Sequence, residues 1–475
     1  MKVLILTEGS SDIGFGHITR CLSIYQAFKE RGIYSKLLIN GDSSVEVLLK
    51  NTEYEIVNWI EEKNNLKKYL PNAQIIFIDS YIAEKVDYED IVKQAKLGVY
   101  YDDYNRLEYP CGIVVNGNLY GRKLKYPQKK CVKYLLGPQY LPLRRDFWEI
   151  PEKKIKAAIK EILITFGGDD IRNLTPKVLE TLSRKFPKWK KRVVIGKGFK
   201  NLTEIKKNAD KMTELIYYPD GNIMKKLMIE CDIAISAGGQ TLYELARIGL
   251  PTVVVLVAEN QKENIKGMVE AGFIEYAGEW DSPILMKNIT KKIKILENYL
   301  ERKKRVMIGR NLVDGQGSKR IVKEILTQFI NNYLVIRPVD DKDIWGVLTV
   351  SNDEIVRKNS FNSSFIKKKD HKEWFQKIDK QMFLVGELLG EIVAHGRVTK
   401  QDGEYVISIA VKKEFQNLGI GKKLLSKLIT ISKGKNLTAY VKKENLKSMK
   451  LFKLFDFKII NEGINYYKLL LEKDR

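Results

Sequence analysis

Histidine and cysteine, the residues that most often bind zinc, are scarce in this chain. Its 475 residues include 3 histidines and 4 cysteines. The cysteines, Cys21, Cys111, Cys131 and Cys231, have no spacing typical of a zinc site or a redox-active pair. We therefore expect four ordinary reduced thiols and no metal cofactor.

Long apolar runs are also absent. No segment is long and uncharged enough to span a bilayer. The chain reaches the acidic Glu8 too early for a secretory signal peptide, and residues 3–6 are instead typical of a first strand. These features predict a cytoplasmic protein with no membrane partner.

The chain is strongly basic, with a formal net charge of +24. Residues 334–475 contain 28 Lys and Arg against 18 Asp and Glu, a net of +10, which leaves +14 for residues 1–333. Because the excess is spread over both regions and no basic tail or aromatic RNA-binding motif stands out, we expect no nucleic-acid partner. A lysine-rich surface of this kind favours anionic nucleotide substrates.

The length exceeds what one hydrophobic core supports and predicts several domains. Short apolar runs alternate with helical patterns in residues 1–145 and again in 146–332, which predicts two doubly wound lobes with parallel sheets covered on both faces. A third domain is predicted over 333–475. The predicted strands are 3–6, 35–39, 75–78, 97–101, 162–166, 193–195, 215–217, 233–235, 253–256, 333–336 and 405–411. Long helices are predicted over 18–30, 284–302, 318–330 and 422–432.

One glycine-rich turn, Gly14-Phe15-Gly16-His17, joins the first predicted strand to the first predicted helix. Such a turn lets backbone N–H groups approach a phosphate, and the helix N-terminus adds partial positive charge. The three-glycine dinucleotide fingerprint and the P-loop are both absent. His17 is therefore either a candidate to act on a group attached to a phosphate or a solvated or capping residue in a tight turn.

A second glycine-containing motif, at residues 416–421, follows a predicted strand and opens a predicted helix, the context that a pyrophosphate cradle requires. It resembles the acetyl-CoA-binding motif of the GNAT family of N-acetyltransferases, and residues 335–338 and 445–452 resemble that family too. The resemblance implies acetyl-CoA as co-substrate. The acetyl-CoA-binding residues that it implies are Ile409, Val411, Gln416, Asn417, Leu418, Gly419, Ile420, Gly421, Lys422 and Asn445.

The acid and base of this third domain are not fixed by the resemblance. Phe452 stands where GNAT enzymes often have a tyrosine that protonates the leaving thiolate, and Asp456 replaces their usual glycine. Glu404 is a candidate base and equally typical of a surface residue, while His395, in an alternating strand, is expected to be packed. The remaining candidates are Tyr440, Ser448 and Tyr466.

Residues 1–330 resemble the PseG family, which hydrolyses UDP-2,4-diacetamido-2,4,6-trideoxy-β-L-altropyranose and shares the GT-B fold with MurG-type glycosyltransferases. The landmarks that carry the resemblance are Gly14–His17 with Arg20, Asp79-Ser80-Tyr81, residues 137–140 with Leu143, Arg144 and Phe147, residues 166–169, residues 236–244, and Glu259-Asn260-Gln261. The fold class implied is α/β: a GT-B-like bilobal nucleotide-sugar domain of two doubly wound lobes, followed by a GNAT α/β domain.

The PseG resemblance also implies roles for individual residues. His17 would be catalytic, activating or orienting a water at the anomeric carbon. Tyr81 and Asn260 would contact the sugar or position that water, Gly238 and Gly239 would present N–H groups to the UDP diphosphate, and Glu244 would accept hydrogen bonds from the ribose. The other substrate-binding residues implied are Gly16, Arg20, Gly168, Thr241 and Gln261.

The two resemblances together predict a bifunctional enzyme. Acetylation of the 4-amino group of a UDP-linked sugar would produce the substrate from which UDP is then hydrolysed, and residues 352–357 and 371–375 resemble the substrate side of the pathway's acetyltransferase, PseH. Three alternatives stay open: a MurG-like glycosyltransferase with an accessory acetyltransferase, a sibling pathway such as that of legionaminic acid, and a non-enzymatic basic binding protein.

Overall fold

The computed structural model describes residues 1–10, 14–62 and 66–472. They form two compact units, one of residues 1–30 and 34–322 and one of residues 31–33 and 323–475, of which the last three are not described. The predicted fold class is confirmed by three sheets, two in the first unit and one in the second. The predicted domain boundaries near residues 145 and 332 stay predictions.

The first sheet has seven parallel strands in the order β3-β2-β1-β4-β5-β6-β7. They are β1 (Lys2–Gly9), β2 (Tyr34–Gly41), β3 (Tyr54–Ile56), β4 (Ile75–Asp79), β5 (Leu97–Tyr101), β6 (Gly112–Asn116) and β7 (Val132–Leu136). The α-helices that the described part of this lobe contains in full are Gly16–Glu30 and Lys85–Val92. Because the strand order reverses between β1 and β4, their carboxyl ends form the place where open α/β sheets bind ligands.

The second sheet has six parallel strands in the order β10-β9-β8-β11-β12-β13. They are β8 (Glu161–Thr165), β9 (Lys190–Ile195), β10 (Thr213–Tyr217), β11 (Ile233–Ala237), β12 (Thr252–Leu256) and β13 (Ile274–Glu279). The helices are Leu174–Lys185, Leu202–Asn208, Gly221–Glu230, Thr241–Ile248, Lys262–Glu270, Leu285–Glu297, Tyr299–Leu312 and Gly317–Tyr333. The central strands β8, β11 and β12 are buried on both faces, which explains why they are continuous apolar runs.

The prediction of one long helix over residues 284–302 is wrong. Two helices meet at Asn298, whose backbone is extended (ψ 121°) and whose side chain accepts the N–H of Leu300 at 2.8 Å. Asparagine competes for backbone hydrogen bonds in this way and therefore caps helices more readily than it continues them.

The third sheet has the order β14-β15-β16-β17-β18-β20-β19 and is antiparallel except between β17 and β18. The strands are β14 (Leu334–Pro338), β15 (Phe383–Leu388), β16 (Glu391–Gln401), β17 (Glu404–Val411), β18 (Leu437–Lys442), β19 (Lys458–Glu462) and β20 (Tyr466–Leu471). The helices are Ile344–Ser351, Glu354–Asn359, Lys368–Lys377, Ile420–Ile431 and Leu446–Lys453.

Strands β17 and β18 pair over only two positions, Tyr405 with Leu437 and Val406 with Thr438. Beyond them the strands continue to Val411 and Lys442 without further pairing to each other, although each stays paired with its other neighbour. The sheet therefore opens into a wedge whose β17 side offers unpaired backbone groups.

The prediction of four reduced thiols is wrong for Cys111 and Cys131, which form a disulfide with a Cα–Cα distance of 5.0 Å. They immediately precede the neighbouring strands β6 and β7, and this pairing in space brings together two residues 20 apart in sequence. Cys21 and Cys231 are buried free thiols, as predicted.

Candidate active sites

The carboxyl end of β1 leads into the turn that carries His17. Gly14 has a φ of +86°, and its N–H donates to the carbonyl of Ser10 at 2.8 Å. A left-handed residue is sterically free only for glycine, so Gly14 closes the turn and the helix Gly16–Glu30 starts at once. This places His17, which is 7% exposed, in the first turn of the helix beside the end of β4.

His17 is held by a carboxylate. Its Nδ1 lies 2.7 Å from Oδ1 of Asp79, the last residue of β4, and Asp79 is fully buried. Nη2 of Arg20 lies 2.6 Å from the same oxygen and 2.9 Å from the histidine nitrogen. Because an ionised carboxylate only accepts, we assign the Nδ1 proton of His17 to this hydrogen bond, which leaves Nε2 with a lone pair. A histidine oriented in this way is suited to general-base catalysis.

Arg20 joins two buried carboxylates. It contacts Asp79 through Nε and Nη2 and donates from Nη1 to Asp103 at 2.8 Å. Burial opposes both charges, but Arg20 and His17 hold the pKa of Asp79 well below its usual range, and Asp103 and Asp79 raise that of Arg20. Asp79 is therefore ionised at neutral pH, as the assigned histidine proton requires.

Tyr81 packs against His17, the candidate general base. Its ring meets that of His17 edge-on, with 4.4 Å between centroids, and its hydroxyl donates to Asp103. Burial and the charge of Asp103 raise the pKa of Tyr81, so the phenol stays protonated. The buried Glu8 fixes the turn before this ring by accepting the N–H of Tyr81 at 2.6 Å and the hydroxyl of Ser80.

The network continues into the second lobe of the first unit. Nδ2 of Asn118 donates to Asp103 at 2.7 Å, and the next backbone N–H, that of Leu119, lies 3.3 Å from the hydroxyl of Tyr243. Tyr243 is fully buried in the helix Thr241–Ile248 and lies 2.5 Å from Oδ1 of Asn264. We call this series the interlobe chain: Asp103, Asn118, Leu119, Tyr243 and Asn264.

The predicted phosphate turn of the second lobe lies between β11 and the helix Thr241–Ile248. Oε1 of Gln261 accepts the N–H of Gly238 at 3.0 Å, so one of the two predicted diphosphate donors is already hydrogen-bonded. A Cβ at Gly239 would meet only Nε2 of Gln261, at 3.7 Å, which leaves room above this residue. Thr241 begins the helix, and Asn260 is exposed next to Gln261.

Glu244 is buried and forms a two-point ion pair with Arg144, with both N–O distances at 2.7 Å. Burial opposes the charge of Arg144, but Glu244 raises its pKa. The carboxylate predicted to bind ribose is therefore shared with an arginine. Gly168 belongs to the turn after β8, where its carbonyl accepts the N–H of Gly198 at 3.1 Å.

In the second unit, the predicted acetyl-CoA motif enters the helix Ile420–Ile431 through two left-handed residues, Asn417 (φ +62°) and Gly419 (φ +88°). A Cβ at Gly419 would meet nothing within 4 Å, whereas one at Gly421 would lie 3.2 Å from Leu451 and 3.9 Å from Val411. The motif thus approaches the open side of β17. Of the remaining predicted residues, Leu418 and Ile420 are buried, Ile409 and Val411 are half-buried, Lys422 is exposed, and Gln416 donates to the carbonyl of Val411 at 3.1 Å.

The acid and base candidates of this unit separate into two places. Glu404 lies 2.6 Å from Nζ of Lys468 and 3.2 Å from the hydroxyl of Tyr440, and the hydrogen bond from Lys468 lowers the pKa of Glu404. Ser448 instead lies at the start of the helix Leu446–Lys453, where its N–H donates to Asn445 at 3.2 Å. Glu404 and Tyr440 are thus brought together, and Ser448 is not shown to join them.

His395 is packed, as its alternating strand predicts. It is 6% exposed, and its Nε2 lies 2.9 Å from the hydroxyl of Ser351. Burial lowers its pKa to about 3. The described ranges contain no group of His, Cys, Asp and Glu arranged to hold a metal ion. Within the same ranges, no helix is both long and apolar enough to cross a membrane.

Comparison with known families addresses each unit in turn. Residues 352–457 match the family model of the acetyltransferase (GNAT) family, and residues 162–321 match that of the glycosyltransferase family 28 C-terminal domain. The second unit carries a GNAT domain.

Three curated relatives are similar to the chain at 25–27% identity. An uncharacterized protein of Methanocaldococcus jannaschii is 25% identical and aligns over 98% of both chains. The UDP-2,4-diacetamido-2,4,6-trideoxy-beta-L-altropyranose hydrolase of Campylobacter jejuni is 25% identical over 58% of this chain and 99% of its own length. A Helicobacter pylori protein named as a pseudaminic acid cytidylyltransferase and the same hydrolase is 27% identical over 69% of this chain and 56% of its own length.

A crystal structure of Acinetobacter baumannii MurG covers 68% of this chain and 99% of its own at 15% identity, with a TM-score of 0.44. The resemblances to PseG and GNAT proteins are confirmed by the family and relative matches. The interpretation of the chain as an enzyme that joins a nucleotide-sugar hydrolase region to an N-acetyltransferase domain is confirmed with them.

Sequence reasoning missed the residues that orient the predicted ones. Asp79 was identified only as part of a family landmark and Asp103 was assigned no role, while Glu8 was considered only as an obstacle to a signal peptide. The available signal was the position of all three at or just past the ends of β1, β4 and β5, where a doubly wound sheet gathers its functional side chains.

Proposed function

We propose that this chain acetylates the 4-amino group of UDP-4-amino-4,6-dideoxy-N-acetyl-β-L-altrosamine with acetyl-CoA and then hydrolyses UDP-2,4-diacetamido-2,4,6-trideoxy-β-L-altropyranose, with inversion, to the free sugar and UDP. The pairing of His17 with Asp79 at the β1–β4 switch point carries the hydrolase half of the proposal. The relatives named for the same hydrolysis support the choice of substrate.

In the hydrolytic step, Nε2 of His17 takes a proton from a water whose oxygen bonds to the anomeric carbon. The bond from that carbon to the diphosphate oxygen breaks, and its electron pair leaves with UDP. Because UDP is a good leaving group, the step needs a base and stabilisation of the diphosphate more than a strong acid. The N-terminus of the helix Thr241–Ile248 and the N–H of Gly239 are suited to that charge.

In the acetyl-transfer step, the sugar amine attacks the thioester carbonyl, and the carbon–sulfur bond breaks. CoA leaves as a thiolate that takes up a proton, while the new amide nitrogen loses one. The opening of β17 from β18 and the turn at Gly419 support acetyl-CoA as the donor, because the former offers unpaired backbone groups and the latter opens a helix N-terminus towards a diphosphate.

The test is an NMR time course with the UDP-linked amino sugar, with and without acetyl-CoA. Wild type should acetylate the sugar and then release UDP; His17→Ala should acetylate but retain UDP. The reciprocal variant Gly421→Val, which places a side chain against Val411 and Leu451, should lose acetylation yet still release UDP from the supplied diacetamido sugar.

Each of the other outcomes of this time course favours one of the alternative functions. Acetylation without release would favour a transferase that needs an acceptor, or a sibling sugar such as that of the legionaminic pathway. Release without acetylation would assign the second unit another substrate. No reaction, together with salt-sensitive nucleic-acid binding, would favour the non-enzymatic basic protein.

A further inference from the structure

Arg397 is a partly buried cation with no anionic partner. It lies on β16, where its guanidinium stacks over the ring of Trp374 at 4.6 Å and lies 6.0 Å from that of Phe383. Its Nε is buried and without a hydrogen bond, and no ion pair or side-chain hydrogen bond to Arg397 occurs within residues 323–472 or elsewhere in the described chain. Burial lowers its pKa to about 10.

Other buried arginines of this chain have partners for their terminal nitrogens, although Nε of Arg302 and Nε of Arg305 also lack a hydrogen bond. Arg302 is 1% exposed, but its terminal nitrogens donate to four backbone carbonyls, and Arg20 pairs with two carboxylates. Arg337, in the same unit as Arg397, pairs with Asp343 at 2.6 Å. Even partial burial of a cation is unfavourable without such partners, so an unpaired one points to an anion that binds from solvent.

The charges of the side chains around Arg397 also favour an anion from outside. The neighbouring titratable side chains that act on His395 are Arg397, His371 and Arg357, and all of them lower its pKa. Nδ1 of His395 is also buried without a hydrogen bond. Where Arg397 packs against Trp374, its described surroundings are thus cationic or neutral, and burial alone shifts its pKa, with no carboxylate contributing.

The register of the sheet indicates which ligand Arg397 can contact. Arg397 pairs with Ser408 across β16 and β17, and Ser408 is exposed. Side chains alternate between faces, so Ser408 shares its face with Glu404 and, through the Val406–Thr438 pair, with Tyr440. The Arg397 face is therefore the one that carries two of the acid and base candidates, Glu404 and Tyr440.

The acetyl-CoA motif lies on the opposite face. Gly396, the neighbour of Arg397, faces Leu428 of the helix Ile420–Ile431, since a Cβ there would lie 2.8 Å from that side chain. Adjacent residues of a strand point to opposite faces. A diphosphate cradled at the start of that helix is consequently on the other side of the sheet from Arg397.

We propose that Arg397 binds the diphosphate of the acetyl acceptor, so that the second unit acts on a nucleotide-linked amino sugar and not on the free sugar. This inference rests on the proposed function. It fixes the order of the two steps, because hydrolysis first would remove the group that Arg397 binds. Trp374 is a positioning residue that holds the guanidinium plane.

The experiment uses the full chain carrying His17→Ala, so that UDP stays on the acceptor. Initial rates of acetylation are compared for the UDP-linked amino sugar and for the same amino sugar without nucleotide. Arg397→Gln should lower kcat/KM for the linked acceptor by roughly 10- to 100-fold, chiefly through KM, because a charge-assisted contact to phosphate is lost. The rate with the free sugar and the KM for acetyl-CoA should not change.

Two further variants separate binding from folding. Arg397→Lys keeps the charge and should recover part of the KM. Lys400→Gln removes one positive charge from the same strand, on the opposite face, and should leave both acceptors unaffected. A rise in the KM for acetyl-CoA, or an equal loss with both acceptors, would overturn the proposal.

Calorimetric titration with inorganic pyrophosphate, in the presence of saturating CoA, tests the site without catalysis. Wild type should show one binding event more than Arg397→Gln, and equal titrations would contradict the proposal. If neither sugar is acetylated by wild type, the proposed function fails, while this titration still decides whether Arg397 binds a diphosphate.

Discussion

Replacement of Asp79 by asparagine tests how the hydrolase candidate is built. The carboxylate is fully buried and accepts from His17 at 2.7 Å and from Arg20 at 2.6 Å. In Asp79→Asn, an amide N–H₂ facing Nδ1 of His17 would favour the tautomer with the proton on Nε2, which removes the lone pair that takes a proton from water. We expect kcat for UDP release to fall by roughly 10³- to 10⁴-fold.

The same change has a stability effect of predictable size. Arg20 would keep Asp103 but lose its contacts with Asp79, and breaking a buried ion pair costs about 3–5 kcal/mol. The stabilisation by Asp79 also depends on pH in a defined direction. Because the pKa of Asp79 is held below its usual range, its stabilisation is present above the unfolded pKa of about 4 and is lost as the pH falls through the folded value. The variant should therefore lose less stability on acidification.

Stopped or quenched assays of UDP release, combined with thermal unfolding, measure both effects. The matched control is Asp102→Asn, a similarly buried carboxylate just after β5 that accepts from the backbone N–H of Arg106 at 3.0 Å and from the hydroxyl of Tyr109 at 2.9 Å and does not contact His17. It should lose stability but keep kcat within about threefold. A folded Asp79→Asn protein with wild-type kcat would refute the reasoning.

Three other changes give distinct readouts. Glu244→Gln should raise KM for the UDP-sugar by about tenfold at nearly constant kcat, since it weakens a charged acceptor shared with Arg144; an unchanged KM in steady-state assays would contradict the ribose role. Cys131→Ser opens the disulfide to Cys111 and should lower the free energy of unfolding by about 3 kcal/mol in denaturant titrations, whereas no change would mean that the bond does not restrict the unfolded chain. His395, with a pKa of about 3, is neutral in the fold and is protonated first in the unfolded chain, so stability of the second unit should fall by about 1.4 kcal/mol per pH unit as the pH drops from 6.5 towards 3; His395→Gln should flatten that slope, and equal slopes would exclude the residue as its source.

The strands that sequence patterns located are those with uninterrupted apolar runs, such as β4 and β12. Others escaped for physical reasons. β3 has only three residues, and β6 starts at Gly112, so neither presents a run long enough to stand out. The break at Asn298 was missed because the apolar period continues through it, while the backbone departs from the helix at one residue.

The sequence predicted individual residues of the site but not the hydrogen bonds, ion pairs and disulfide that join residues distant in sequence. The glycine turn identified His17 because the turn is local to the sequence. Its partner Asp79 is 62 residues away and reaches it only through the order β1–β4, which one sequence does not specify. The same holds for the Cys111–Cys131 bond and for the pairing of Glu244 with Arg144, which are 100 residues apart.

The interlobe chain has a consequence for when the hydrolase is competent. The lobes meet where the backbone N–H of Leu119 and Oδ1 of Asn118 each lie 3.3 Å from the buried hydroxyl of Tyr243, which Asn264 contacts from within the second lobe. If the lobes separate, these groups exchange partners with water, and the side chain of Asn118 loses the neighbour that limits its rotation beside Asp103. The position of Asp103, and through Arg20 that of Asp79, thus depends on the contact between the two lobes.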